Sequence, residues 1–236
     1  MAGRASEPGT EDRNGATTRG HLTRPRVVSS ALALVDRDGL DGLTMRALGR
    51  ELKADPMAVY HWFPNKQAIL QGVVEAILSD IAVPVGWAPE SWQDAGLTIA
   101  REYRAALRRH PNALPVASTQ PVMTSVGIEV IEGALNALVA CGLTPGAALE
   151  AVDTVAAFVI GDCMVHAGVT PGTEPLAPEE IAQAYSGIDP ERFPNLAAAM
   201  AESAALLVDE EAQFEIGIDA LVRGLEASFR RRGLLS

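Results

Sequence analysis

The 236-residue chain is 48% hydrophobic and 21% charged, which allows one or two domains with a real core. Two cysteines, Cys141 and Cys163, exclude a disulfide framework and fit a reducing cytoplasm; no apolar run of roughly 18 residues and no N-terminal apolar region predict a membrane span or a secretory signal. A net charge of −11 speaks against nucleic acid as a partner unless that charge is unevenly placed.

In chain order, residues 1–21 carry Gly, Thr, Arg and acids with almost no large apolar side chain, and read as a disordered tail. A first helix is predicted over about 24–38, with Thr23 as N-cap. Its apolar face is Val27, Val28, Ala31, Leu32 and Val35, and Gly39 supplies a left-handed stop. Thr44 caps a second helix in which Met45, Leu48 and Leu52 face inward. Asp55-Pro56 opens a third, to about Trp62: an N-cap followed by the helical position that tolerates proline. Pro64 ends it, and Asn65 caps a fourth that runs to about Ile81 with Ile69, Leu70, Val73, Val74 and Ile77 apolar. Pro84, Gly86 and Pro89 mark a joint, dividing the chain into 22–83 and 84–236. Beyond it helices are predicted over about 92–109, 126–141, 145–167, 178–185 and 210–231, with 168–177 a mobile loop. Neither strand-like alternation nor an internal repeat is visible. The predicted fold is all-α, a small N-terminal three-helix head on a larger helical body.

The third helix is barely two turns long and carries Tyr60, His61 and Trp62 close together. A helix that short is unstable alone, so other elements must hold it while its exposed side is used. A helix-turn-helix entering the major groove of DNA explains both facts. The charge supports this: residues 19–66 hold eight Lys/Arg against five Asp/Glu, whereas from 84 onward nine basic residues face twenty acidic ones. The acidic body repels DNA and leaves the head as the attractive end. Arginines of the 1–21 tail could brush the DNA backbone, although a solvated leader without a role is the simpler reading.

Residues 22–81 resemble the DNA-binding domain of TetR-family transcriptional repressors. The match lies in Leu22-Thr23-Arg24, Ala31-Leu32-Ala33-Leu34, Gly39-Leu40-Asp41-Gly42-Leu43-Thr44-Met45-Arg46, Val59-Tyr60-His61-Trp62-Phe63 and Asn65-Lys66. The remainder resembles the ligand-binding domain of the branch containing the tetracycline repressor, through Trp92, Arg108-Arg109-His110-Pro111, Gln120-Pro121, Cys141-Gly142-Leu143 and Phe214-Glu215-Ile216-Gly217. This resemblance implies a ligand-responsive repressor that binds a palindromic operator as a homodimer and is released by a small-molecule effector.

Site residues follow from position and from that likeness. Arg46, opposite Leu48 and Leu52, can reach the groove, where a guanidinium fits guanine N7 and O6; in the resembled family an arginine here reads a base. Pro56, Met57 and Ala58 form the exposed first turn of the third helix, where small or apolar side chains can touch a thymine methyl. Tyr60 and Lys66 occupy positions that contact the DNA backbone in the family, and Thr44 is read as cap and phosphate contact together. Trp62 has two readings, contact with DNA or plug of the head's core, and His61 is more an exposed neighbour than a base reader. Val59 and Phe63 are core. Lys53 departs from the family's usual glycine, whose backbone there adopts positive φ, so either the turn is altered or strain of roughly 1–2 kcal/mol is accepted.

In the body, the helices at 145–167 and 210–231 are apolar over more than one face through Val152, Val155, Phe158, Val159, Phe214, Ile218, Leu221 and Leu225. Burial against a twin accounts for this, and the resemblance implies a four-helix dimer interface. Tyr103, Gln120, Phe158, Asp162 and His166 are candidate effector contacts, each isolated in apolar sequence; for each, an ordinary core or rim residue is the competing reading. Asp162, Cys163 and His166 could suggest metal ligation, but a satisfied Asp162–His166 pair at i, i+4 is preferred, and neither metal nor cofactor is expected. Alignment on Gln120-Pro121 and Gly161 places Val116 or Ala117, and Val165, where the tetracycline repressor uses a histidine and an acid to hold a magnesium-bearing drug. Aliphatic side chains cannot hold a hard cation, so the expected effector is a metal-free, mainly apolar organic molecule. An enzyme and a helical protein-binding adaptor are the rival classes. The first lacks a phosphate-binding glycine loop, a nucleophile elbow and a zinc-binding helix.

Overall fold

A computed structural model describes residues 22–81, 91–119, 124–167, 180, 183, 187–203 and 209–235. The helices are α1 (Arg24–Gly42), α2 (Met45–Leu52), α3 (Pro56–Trp62), α4 (Lys66–Ser79), α5 (Trp92–Arg108), α6 (Leu114–Thr119), α7 (Ser125–Ala140), α8 (Pro145–His166), α9 (Pro194–Ser203) and α10 (Glu210–Arg232). A 3-10 turn at Pro111–Ala113 precedes α6. No strand occurs among the described residues; one antiparallel bridge joins Leu143 to Leu235. None of the described helices is long and apolar enough to cross a membrane.

Local chemistry sets the helix starts in the head. Thr23, Thr44, Asp55 and Asn65 each accept a hydrogen bond from a backbone N–H in the first turn they cap. Gly39 has φ 69 and ψ −178, a conformation that excludes a Cβ, and it kinks α1 before a last turn ending at Gly42. The buried face of α1 is Val27, Val28, Ala31, Leu34 and Val35. Leu34 thus replaces the expected Leu32, which is only half-buried. Likewise Leu48 and Leu52 are buried on α2 while Met45 is half-exposed.

Helix α4 stops at Ser79, slightly short of the predicted end. The predicted helix at 178–185 and loop at 168–177 lie almost wholly outside the described residues, as does the 1–21 tail. Helix α9 was not anticipated; its alanine-rich sequence lacks a clear apolar stripe, and Phe193 and Leu196 beside and within it are exposed.

One continuous buried cluster runs from Val27 on α1 through Phe63, Ile77, Trp92, Leu107, Val159 and Phe214 to Phe229 on α10. Head and body therefore share apolar packing. A smaller cluster of Val74, Leu78 and Val116 joins α4 to α6. Polar contacts reinforce the joint. His110 Nδ1 lies 2.9 Å from Asp36 Oδ2, Asn112 Nδ2 donates to the Asp36 carbonyl at 2.8 Å, and Arg109 donates to the Asp80 carbonyl at 3.2 Å.

Candidate nucleic-acid interface and effector cavity

The head presents a single face built by α2 and α3. The α2–α3 turn is held by Lys53 N–H bonding to the Arg50 and Gly49 carbonyls, with Lys53 at φ 51 and ψ 40. The turn is thus unaltered and the lysine bears the left-handed strain. Gly49 allows the close approach: a Cβ there would sit 3.0 Å from the Ala54 carbonyl oxygen and 3.1 Å from Pro56.

On this face Thr44, Arg46, Met57, Tyr60, His61 and Trp62 are exposed, and Pro56 and Ala58 half-buried. Thr44 Oγ1 accepts from Ala47 N–H at 3.0 Å, so capping is its role within the fold. Arg46 has no ion-pair or hydrogen-bond partner among the described residues. Met57 is 72% exposed, a large apolar side chain held in solvent on the first turn of α3. Trp62 is 37% exposed and meets His61 edge-on at 5.7 Å, while Val59 and Phe63 fill the head's interior. The reading of Trp62 as a core plug is therefore set aside. Lys66 requires a correction of emphasis: its ammonium donates to the Leu40 carbonyl at 2.9 Å, closing the end of α1, so only part of its donor capacity faces outward.

The five expected effector residues do not converge. Of the five, Tyr103 alone lines a largely apolar cavity of about 140 Å³, with Leu78 and Ile81 at the end of α4, Ile99, Val130, Ile131, Ala134, Val152, Val155, Ala156 and one charged residue, Asp153. Burial, with the nearby Cys163 adding to it, pushes the Tyr103 hydroxyl up to about 12, so it stays a neutral donor at ordinary pH. Asp162 and His166 line a different, polar cavity of about 250 Å³ with Arg108, Pro111, Leu114, Cys163 and Glu210. Phe158 lines neither. Its ring lies 5.8 Å from that of Phe214 and presses on Gly217, where a Cβ would meet it at 2.6 Å, so it is a packing residue between α8 and α10. Gln120 lies outside the described residues.

Asp162 is not free to meet a ligand. Its carboxylate accepts from Arg104 Nε at 2.8 Å, and the two side chains are 7% and 5% exposed. His166 Nδ1 closes the other side, 2.9 Å from the Asp162 carbonyl and 3.2 Å from Oδ1, giving the satisfied i, i+4 pair. Arg104 also bonds Glu211 and stacks 4.1 Å above the Phe214 ring. Among the described residues no group of three His, Cys, Asp or Glu side chains is placed to hold a metal ion. Val116, one candidate for the aligned histidine position, is buried against Val74 and Leu78; Val165, at the aligned acid, is 76% exposed.

Residues 27–73 match the bacterial regulatory proteins of the tetR family, and residues 86–229 match the tetracyclin repressor-like C-terminal domain. The chain belongs to the TetR family. It is 33% identical over 144 residues to an HTH-type transcriptional regulator of Saccharopolyspora erythraea, covering 61% of this chain and 61% of that protein. With the class D tetracycline repressor protein of Escherichia coli it shares 28% identity over 213 residues, 87% of this chain and 89% of the other. Its fold superposes on Streptomyces coelicolor ActR, crystallised in complex with actinorhodin, with a TM-score of 0.76 at 26% identity over 89% of this chain and 99% of that one. The match to the Saccharopolyspora regulator thus spans less than two thirds of that protein's length.

Within the TetR-family frame, sequence reasoning missed two groups. Arg104 was invisible because a lone arginine in a helix normally reads as solvated, although its companions on α5, Ala100 and Leu107, are core positions i−4 and i+3 from it. Asp36 and His110 are 74 residues apart, and no local pattern links them.

Proposed function

We propose that this TetR-family protein is a ligand-responsive transcriptional repressor that binds a palindromic operator as a homodimer and is released by a small organic effector. The observation that carries this reading is the exposed α2–α3 face, with Arg46 unpartnered beside Met57, Tyr60 and Trp62. Exposed apolar and aromatic side chains next to a guanidinium without an acidic partner are costly in solvent and useful against base edges and phosphates. In this reading Arg46 reads a base and Pro56, Met57 and Ala58 meet the groove floor. Thr44, Tyr60, Lys66 and Trp62 contact the backbone, and His61 lies alongside.

Dimerisation is supported by the outward faces of α8 and α10. Ala157, Gly161, Met164 and Val165 recur at helical spacing on α8, as do Ile216, Ala220, Gly224 and Ala227 on α10, all exposed. Small and apolar residues in register let two copies of the helix pair approach closely. The division of labour falls near residue 83, with reading of DNA in the head and effector binding in the body.

The effector site is the apolar cavity at Tyr103. Its volume is below the usual range for ligand pockets, so a drug-sized molecule must enlarge it. Because Leu78 and Ile81 form one wall, enlargement displaces the end of α4, whose other end holds Lys66 at the DNA face. An effector that binds the enlarged state better shifts the head spacing; one that binds both equally shifts nothing. The actinorhodin complex of ActR supports a small-molecule ligand in this body, and the aliphatic Val116 and Val165 favour a metal-free mode. The protein acts in the cytoplasm as a regulator and not as an enzyme, in keeping with its relatives.

The test is selection of duplexes from a random library, followed by gel-shift titration with a panel of organic molecules. An enriched inverted repeat with half-sites roughly one helical turn apart is expected, released by at least one apolar compound without magnesium. Failure to enrich any inverted repeat overturns the reading, and tight ligand binding that leaves operator affinity unchanged overturns the coupling.

A further inference from the structure

Beyond the expected contacts, the head carries a second feature directed at polyanions. Arg46, Arg50 and Lys53 stand at i, i+4 and i+7 along α2 and its C-cap, and so share one stripe opposite the buried Leu48 and Leu52. All three are exposed, and together with Gly49, Ala54 and Pro56 they line one open groove of about 510 Å³. At 1.5 Å per residue the stripe is about 10 Å long, long enough to reach more than one phosphate of a single strand.

Asp55, exposed between the lining residues Ala54 and Pro56, caps α3 by accepting from Met57 N–H at 2.8 Å and forms no ion pair with these cations. Arg37 Nη2 lies 3.3 Å from Glu51, the acid on α2, and 2.9 Å from Asp38. Arg24 is paired with Glu75, and Lys66 donates to the Leu40 carbonyl. Arg46, Arg50 and Lys53 have no acidic partner among the described residues. Lys53 moreover holds a left-handed backbone that glycine would adopt without strain. A strained residue on a binding face is a place to look for function.

We propose that Arg50 and Lys53 extend the DNA contact surface as a phosphate-gripping track running from Arg46 along α2. This rests on the DNA-binding reading above and deepens it. The track holds the sugar–phosphate backbone beside the groove entered by α3, and it adds affinity without adding base preference. Each ammonium or guanidinium that displaces a condensed counterion contributes about 0.9 to the slope of log affinity against log salt.

The experiment measures that slope for the selected operator and for a scrambled duplex of equal length, using full-length wild type, Lys53→Gly, Lys53→Arg and Arg50→Gln. Lys53→Gly and Arg50→Gln each remove one contact from both subunits of the dimer, so each should lower the slope by about 1.8 and weaken both duplexes by the same factor. Lys53→Arg should retain the wild-type slope. Lys53→Gly relieves backbone strain, so its melting temperature should equal or exceed that of wild type, which separates lost contact from lost folding. An unchanged slope in Lys53→Gly and Arg50→Gln overturns the track, as does a loss confined to the operator. If wild type binds neither duplex, the DNA-binding reading itself falls, and the track with it.

Discussion

At Trp62 a single side chain separates folding from recognition. With Val59 and Phe63 filling the head's interior, removal of the indole should leave the head intact. Trp62→Ala should leave the head folded, at a smaller stability loss than the roughly 3–5 kcal/mol of a core aromatic, yet weaken operator binding several-fold; equal affinity in a gel-shift titration would refute the contact. Arg46→Ala should cost about 1–3 kcal/mol at one base pair of each half-site and relax preference there, read by competition among single-substituted operators. Tyr103 gives a pH signature. Its folded pKa of about 12 lies above the ordinary phenol value of 10.0 because burial disfavours the phenolate. Its stabilising contribution is therefore complete below pH 10 and lost as pH rises toward 12, up to about 3 kcal/mol in all. Tyr103→Phe should flatten the alkaline limb of a stability–pH curve; an unchanged limb would contradict the assignment. The exposure of the α3 side chains was legible in the sequence because α3 opens at a capping Asp-Pro and has one obvious core row. Asp162 was legible as a pair with His166 but not as the partner of Arg104, since the second contact crosses 58 residues of chain.

Among the helices, α5, α8 and α10 are tied by Arg104, which bonds Asp162 and Glu211 and lies over Phe214. A buried pair is fragile to loss of one member, because the survivor stays desolvated. Arg104→Met should cost about 3–5 kcal/mol, whereas Arg104→Met with Asp162→Leu should recover most of that. Chemical denaturation of the two variants decides; equal losses would show that the charge itself matters little. Between head and body, the Asp36–His110–Asn112 contacts join α1 to the turn before α6. Breaking them should uncouple the two ends: His110→Ala should keep effector affinity and operator affinity separately while reducing release of one by the other. Undiminished release would place the coupling wholly on α4. Helix starts were readable because caps are local chemistry. The exchange of Leu34 for Leu32 was not, because α1 packs against α2, α4 and the 3-10 turn on different sides, and the seam is fixed by those neighbours. The separation of the five expected pocket residues has the same origin: sequence isolation marks a polar group in apolar surroundings, but not which cavity it faces.

For the whole molecule, charge is divided along the axis that the fold creates, with unpartnered cations on the α2–α3 face and acids concentrated in the body. The all-α class and the head were legible because period, caps and breakers agreed; the inter-helix cavities depend on distances that no periodicity encodes. The self-association proposed for α8 and α10 predicts that Gly224→Glu, placing a charge on the exposed stripe, yields a monomer by sedimentation and lowers operator affinity by more than tenfold; a dimer that binds normally would move the interface elsewhere. The polar cavity has one more consequence. Cys163, 3% exposed and with its thiol pushed up to about 11 by burial, lines that cavity, whereas Cys141 is half-buried. A thiol so shielded reacts only when the helices around it part. Cys163 is thus a covalent clock already wired into the body: the rate at which a disulfide reagent reaches it counts how often α8 comes away from its neighbours, and a shift in that rate on adding a compound would report occupancy before any DNA is present.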